Sequence, residues 1–447
     1  MLPDVLSASL IDRASKIVHL ALKSGADAAD VKVLYSRDKS FSIRLGKTEG
    51  IDTSENSVLS LRVFVGQKVA TVSTNHTFDI DLLVERAVDM AKVSLKNPFI
   101  SLSDKNDLAH HYPDLDLFDP VTVNDNDLRD SALAMEGAAL SVPGVSNSLG
   151  SSVSMSMQGI ALVTSHGFSG FYMKTNFSRS VSVIAGKGIN MERDYDFDSC
   201  VFYSDLRNTE EIGYRAGNFA VRRLNPHKMD TGSYTVVFDV RAARSLVHAI
   251  INTINGEAIA RKTSFLCDSM GKQCFSRHIT LIDDSFVKRA SSSRPFDDEG
   301  ISQGCLMLIK DGVLTNWLLS HSSACELGLR TNGRGVRCGS SVVAGSTNVF
   351  LEPGEATPEE LIRNIKKGFY VTELIGHGVD LITGQYSQGA SGFCIENGQL
   401  TYPVSGVTIA SNLKEMFMSA VPANDIDRRY KISTPTLVID NMTLAGQ

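Results

Sequence analysis

His248 stands alone among the apolar residues of the stretch 244–265, which follows a strand-like run at 234–238. Leu246, Val247, Ile250, Ile251 and Ile254 recur at i, i+3, i+4 spacing, and this predicts an amphipathic helix. A helix-borne hydrolytic zinc needs a second ligand about one turn on and a carboxylate beside the first ligand to take a proton from water. Here the neighbour of His248 is Ala249, and the next turn offers Asn252 and Thr253. The stretch has the shape of a metallopeptidase helix without its chemistry. A lone histidine on such a face is more often packed into a core than bound to metal.

Other candidates are weighed the same way. No His-Glu-x-x-His pair occurs among the ten histidines. His110 and His111 are adjacent in a polar connection and read as a solvated loop. His377, in Ile375-Gly376-His377-Gly378, fits either a ligand-facing loop or a plain turn. A metal set of His248, His377 and a cysteine stays open on residue types alone. Cys267 and Cys274 lack the spacing of paired thiolate ligands. Gly46-Lys47-Thr48 resembles the end of a phosphate loop, but Phe41 stands where glycine is required. Gly-x-Ser-x-Gly is absent, and turn chemistry accounts for Ser391 in Gly389-Ala390-Ser391-Gly392. The acidic run 295–300, with Asp297, Asp298 and Glu299, reads as a strand-entry turn with solvated acids.

The elements that must position these residues follow from periodicity and turn signals. A helix over 7–24 ends at Gly25; strands follow at 29–36, 40–45, 57–65 and 68–74, then a helix over 79–94. Residues 97–120 read as a long surface connection. The pattern restarts with a helix at 125–140, strands at 145–155, 159–164, 169–185 and 190–204, and a helix at 210–223. Helix, antiparallel strands, helix thus occurs twice, so the first half reads as one α+β domain of two similar lobes. The proline-containing segment 224–232 is the best boundary. The expected fold is two-domain α+β: an N-terminal domain of helices and antiparallel strands at 1–224, and a β-rich domain with short helices at 232–447. Lys310-Asp311-Gly312 and Glu396-Asn397-Gly398 predict hairpins, Thr357-Pro358-Glu359-Glu360 predicts a capped helix, and 383–392 suggests tight turns.

A chain of 447 residues is too long for one ordinary core. Its 43% hydrophobic and 21% charged residues fit a soluble globular protein. A net charge of −6 gives no footprint for direct nucleic-acid or anionic-membrane contact. No run has the length of a membrane-spanning helix, and Asp12, Arg13 and Lys16 break any resemblance of residues 1–24 to a signal peptide. Seven scattered cysteines argue for reduced thiols and a cytoplasmic location.

Several motifs in register carry a resemblance. Arg261-Lys262-Thr263-Ser264-Phe265, Pro295-Phe296-Asp297-Asp298-Glu299-Gly300, the run 310–319, Thr383-Gly384-Gln385-Tyr386-Ser387 and Tyr402-Pro403-Val404-Ser405-Gly406 resemble the TldD/PmbA family. The match is dense over 232–447, looser but in order before it, and nearest to the PmbA branch, also called TldE and sometimes "modulator of DNA gyrase". The resemblance implies a two-subunit metallopeptidase that degrades or matures small unfolded peptides. In that family the TldD-type subunit binds zinc through His-Glu-x-x-x-His on a helix plus a later cysteine. Counting back from Arg261-Lys262 puts His248 on the first histidine, Ala249 on the glutamate and Thr253 on the second histidine; no cysteine follows Cys394.

The implied role is the non-catalytic subunit, with no cofactor of its own, zinc in a homologous TldD-type partner, and a homodimer possible when that partner is absent. Extended peptide is expected to add along an exposed sheet edge, with Gly376, His377, Gly378 and Ser391 as groove candidates. Two alternatives remain: a self-sufficient metallopeptidase using His248 with a non-standard ligand set, and a non-enzymatic binding protein modulating DNA gyrase.

Overall fold

The computed structural model describes residues 3–75, 79–376 and 378–446. Its first half runs α1 (Pro3–Lys23), β1 (Ala28–Arg44), β2 (Lys47–Val65), β3 (Lys68–Thr74) and α2 (Ile80–Val93). It then runs α3 (Asp125–Leu140), β4 (Val145–Thr164), β5 (Ser169–Ala185), β6 (Glu192–Cys200) and α4 (Thr209–Arg222). The helix, strands, helix order does recur. All six strands join one antiparallel sheet, β3-β2-β1-β4-β5-β6, so the two similar halves share a single domain. β1 and β4 make the seam, with Val31 beside Val163 and Phe41 beside Val153.

The two helix pairs cover different ends of one face. Val31, Val33, Leu59 and Leu61 pack in a core with α1 and α2, while Phe41, Ile43, Val153 and Val181 pack with α3 and α4. Alternation puts serines such as Ser154 and Ser178 on the opposite face, where their hydroxyls meet at 2.8 Å. The strands expected at 29–36 and 40–45 are a single strand, as are those expected at 145–155 and 159–164. Charged Arg37-Asp38-Lys39 and the Gln158-Gly159 pair interrupt the apolar pattern and look like turns. They stay extended because the ladder holds them from both sides, Asp38 lying between Ser54 and Ser156.

The second half begins with β7 (Gly232–Phe238), α5 (Val240–Thr253), α6 (Gly256–Ala260), β8 (Leu281–Asp284), β9 (Cys305–Lys310), β10 (Val313–Leu314) and α7 (His321–Leu327). There follow β11 (Gly335–Cys338), β12 (Ser341–Ala344), β13 (Asn348–Leu351), α8 (Pro358–Arg363), β14 (Lys367–Ile375), β15 (Gln385–Glu396) and β16 (Gln399–Asn412). The last elements are α9 (Leu413–Ser419), β17 (Val421–Pro422), β18 (Ile432–Ser433) and β19 (Leu437–Ala445). Strands β16-β15-β14-β7-β19 lie in that order, and β19 pairs back onto β16, closing a ring. A second sheet, β10-β9-β8-β13-β18, stands beside it. The fold is α+β, with the second half rich in strands.

Local chemistry set these elements as expected at several places. Asp311-Gly312 and Asn397-Gly398 take the left-handed conformations of tight hairpins, with φ of 49° and 80°, and 50° and 79°. Thr357 and Glu360 exchange both bonds of a capping box. The helix expected across 244–265 is interrupted. Asp239 caps α5 by accepting from the Ala242 N–H, and Asn255 starts α6 by accepting from the Glu257 N–H. Residues 383–392 are not all turn either, since β15 takes them up from Gln385. The connection 97–120 is not a surface loop throughout. It buries Leu102, Leu108, Leu115 and Leu117 and ties the halves together through Ala109 N–H to Gly300 O at 2.9 Å.

A candidate peptide cleft beside helix α5

α5 is positioned by its apolar side. Leu246, Val247, Ile250 and Ile251 are at most 6% exposed in the core under the ring of strands. Burying each of these contributes about 1.5–3 kcal/mol, so the helix cannot rotate without losing the core. Its other side carries Arg241, Ser245 and His248. Arg241 and Ser245 line a cavity of about 300 Å³ between the two halves. Leu149, Ser182 and Tyr195 close it from the six-stranded sheet, and Thr372, Glu373 and Leu374 of β14 from the other side.

β14 offers main chain here. It pairs with β7 only from Gly368 to Val371. Beyond Val371 the chain of β7 has turned into α5, the Asp239 N–H binding Val371 O at 3.0 Å. Among the described residues, no strand pairs with Thr372–Leu374 on that side. An extended peptide can pair with such an edge, its backbone satisfying the free groups.

The walls hold balanced charge. Asp194 accepts from Arg241 at 2.8 Å and from Arg223 at 3.5 Å, and Arg223 also binds Glu373. Arg193 reaches Glu373 at 3.6 Å and is otherwise in solvent. Burial opposes the charge on Arg241, but the Asp194 hydrogen bond and charge more than restore it, so its pKa lies above the ordinary arginine value. Burial pushes Asp239 up to about 6, with Arg241 and the helix N–H groups pulling it back. Burial likewise raises Glu192.

The residues singled out from the sequence fall in different places. His248 is exposed, its Nδ1 3.1 Å from the Asn252 side-chain nitrogen. Ala249 is 5% exposed and Thr253 fully buried, its hydroxyl donating to Ile250 O at 2.7 Å. Beside His248 the helix therefore supplies a methyl group at position 249 and a hydroxyl at position 253, neither a carboxylate nor a second imidazole. This donor set does not fit zinc. Among the described residues, no three His, Cys, Asp or Glu side chains converge as a metal site.

The groove candidates also divide. Gly376, with φ of +98°, directly follows β14, two residues beyond Leu374, the last of its residues to line the cleft. Gly378 packs so closely on Ser387 that a Cβ would lie 1.5 Å from its carbonyl oxygen. Ser391 is a buried strand residue opposite Glu373, its carbonyl taken by Thr372 Oγ1 at 3.4 Å, and not a turn residue in a groove. His377 lies outside the described residues. Sequence reasoning missed Arg193, Asp194, Arg223, Arg241 and Glu373. The alternation of Glu192, Asp194, Asp196 and Asp198 along β6 was the available signal, because period two puts all four on one face.

The acidic run 295–300 needs a larger correction. Asp297 and Glu299 are 2% and 5% exposed, not solvated. One oxygen of Asp297 accepts from the Glu299 and Ile301 N–H groups, the other from Gly335 N–H, all at 2.8–2.9 Å. Asp298 binds Lys32 at 2.6 Å, and Glu299 accepts from His321 N–H at 2.7 Å. Nearby, Asp30 holds Arg62 and Arg337, joining the first sheet to β11. Burial and then the Asp297 charge push Glu299 up to about 8.

Three sequence models of one family match in order: PmbA/TldA metallopeptidase domain 1 at residues 29–91, the central domain at 118–224 and the C-terminal domain at 231–446. The Metalloprotease PmbA of Escherichia coli O157:H7 is 34% identical over 433 residues, 96% of this chain and 94% of that protein. A Metalloprotease TldD homolog of Haemophilus influenzae is 28% identical over 220 residues, 45% of this chain and 46% of its own length. Among solved structures, a Bacteroides thetaiotaomicron protein described as a modulator of DNA gyrase superposes with a TM-score of 0.90 at 28% identity, covering 97% of this chain and 98% of its own. TldE from Thermococcus kodakarensis shares the fold at 0.84 and 21% identity over 97% and 99%. No helix among the described residues is long and apolar enough to cross a membrane. With near-complete coverage and all three domains in order, this chain belongs to the PmbA/TldD metallopeptidase family, on its PmbA side.

Proposed function

We propose that this chain is the non-catalytic subunit of a peptidase whose zinc sits in a TldD-type homologous partner, and that it holds small unfolded peptides for degradation or maturation. One observation carries the reading. The helix that bears His248 carries Ala249 beside it and Thr253 at its end, both buried, so it supplies neither a proton acceptor nor a second ligand. A lone imidazole cannot hold zinc tightly, and alanine cannot activate water. What the cleft does offer is backbone: the edge of β14 beyond Val371, beside a mixed wall of leucines and paired charges. Such a surface recognises peptide main chain with little sequence selectivity. The chain works in the cytoplasm, in keeping with seven unpaired cysteines.

The test offers zinc to the purified chain, desalts it, and measures metal by elemental analysis alongside cleavage of an unstructured peptide. The expected result is no retained zinc and no cleavage alone, with cleavage appearing when the zinc-bearing homologue is added. Stoichiometric zinc that vanishes in His248→Ala, with cleavage by the chain alone, would overturn the reading.

A further inference from the structure

The two halves enclose a second cavity, of about 170 Å³, that shares no lining residue with the cleft. Arg62 of β2 and Asn97 wall it from the first half, and α6, α7 and β12 wall it from the second. Glu257 fixes that second wall. One of its oxygens accepts from Ser320 Oγ at 2.7 Å, the other from the Ala344 N–H at 2.9 Å. Gly256 lets α6 approach α7 so closely that a Cβ there would lie 2.6 Å from Ser323 Oγ.

Inside this frame some polar groups are left over. Glu299 lines the cavity and is 5% exposed; one oxygen accepts from the His321 N–H, and the other has no partner among the described residues. Arg261, at the end of α6, and Glu326, near the end of α7, line it too. Neither side chain makes a hydrogen bond or ion pair among the described residues, and Ser322 Oγ is likewise unpartnered. Arg62 is already held by Asp30 at 2.9 Å, so Arg261 is the cation on offer. Opposite charges that line one small cavity without meeting are matched by a ligand that carries both.

We propose that this cavity binds a small zwitterion, a free α-amino acid or a dipeptide, with its carboxylate on Arg261 and its ammonium between Glu326 and the free oxygen of Glu299. A simple anion would leave the two carboxyl groups unmatched, and a simple amine would leave Arg261 unmatched. Asn97 and Ser322 offer both donors and acceptors to the ligand's remaining polar atoms. Size limits the class as well. At about 170 Å³ the space falls below the roughly 300–1,000 Å³ of sites for drug-sized molecules. The cavity is separate from the peptide cleft, and the inference stands whether or not the chain is catalytic.

Isothermal titration calorimetry on the full chain tests it, with alanine and alanyl-alanine as probes up to about 10 mM. Saturable binding is expected: of alanine if the site takes free amino acids, of alanyl-alanine if it takes short peptides. Either supports the site. N-acetylalanine, which lacks the ammonium, and alaninamide, which lacks the carboxylate, should bind at least about tenfold more weakly than alanine. Arg261→Gln and Glu326→Gln should each weaken the zwitterion at least about tenfold. Both side chains are exposed and unpartnered, so each variant should keep its thermal midpoint within about 2 °C. No binding of either zwitterion over that range would overturn the inference. So would single-charge analogues that bind equally well, or binding indifferent to both substitutions.

Discussion

Two acidic runs meet the junction between the halves, and they are satisfied by different partners. On β6, Asp194, Asp196 and Asp198 are matched by arginines: Arg223 and Arg241 for the first, Arg207 and Arg215 for the second, Arg207 and Arg429 for the third. In the loop before Gly300, Asp297 and Glu299 are matched by backbone N–H groups. Arginine stays charged at any accessible pH and reaches its partner on a long stem, so it can line an open wall. Amide groups cannot follow a carboxylate that moves. The first arrangement borders a cavity; the second fixes the loop that carries it.

The sharpest break should come from Asp297→Ala. Three buried N–H groups lose their acceptor, at about 1–3 kcal/mol for each one left unsatisfied. Chemical denaturation should show a fall of at least about 3 kcal/mol, and a much smaller loss would mean the loop rearranges easily. Second comes pH. The Glu299 carboxyl binds its proton more tightly folded, near 8, than unfolded, near the ordinary glutamate value of 4.5. Its contribution is therefore complete below about 4.5 and lost as pH rises through 8. Denaturation midpoints should fall over that window, and Glu299→Gln should flatten the slope. An unchanged slope would remove Glu299 from the account.

The arginine-matched run should respond less. Arg241→Ala leaves Asp194 with Arg223 alone and is expected to cost about 1–2 kcal/mol, since the pair is partly open to solvent. It should also alter peptide affinity, measured by fluorescence anisotropy, which Asp297→Ala cannot do selectively. Smallest is Arg193→Ala. With its side chain 74% exposed, it should leave stability within about 0.5 kcal/mol. Added salt should soften the two arginine variants more than Asp297→Ala, because exposed charges are the ones screened.

Much of the architecture was legible beforehand. Apolar spacing marks α2, α3 and α5, Asp311-Gly312 and Asn397-Gly398 mark hairpins, and Thr357 marks a helix start. Mid-strand residues such as Asp38 and Gly159 were misleading, because a ladder partner on each side overrides local turn preference. The buried acids were the larger surprise. Composition prices a carboxylate as solvated, and the N–H groups of Glu299, Ile301 and the sequence-distant Gly335 reverse this for Asp297. At the cleft, the sequence shows what positions 248, 249 and 253 are, but not which way they point. Direction follows from the core that α5 covers, and that core is built from strands far away in the chain.

The closing of the ring by β19 bears on how such a chain is made. β1 to β3 and β4 to β6 are successive hairpins, and these local pairings form quickly. β7 must instead wait for β19, Val237 lying beside Val438. High contact order slows that step. α5 leaves the ribosome early with Leu246, Val247 and Ile250 still lacking much of the core that will cover them. Between those two moments the second half is a sticky intermediate. The first half, already folded beside it, offers the only finished surface on which to assemble.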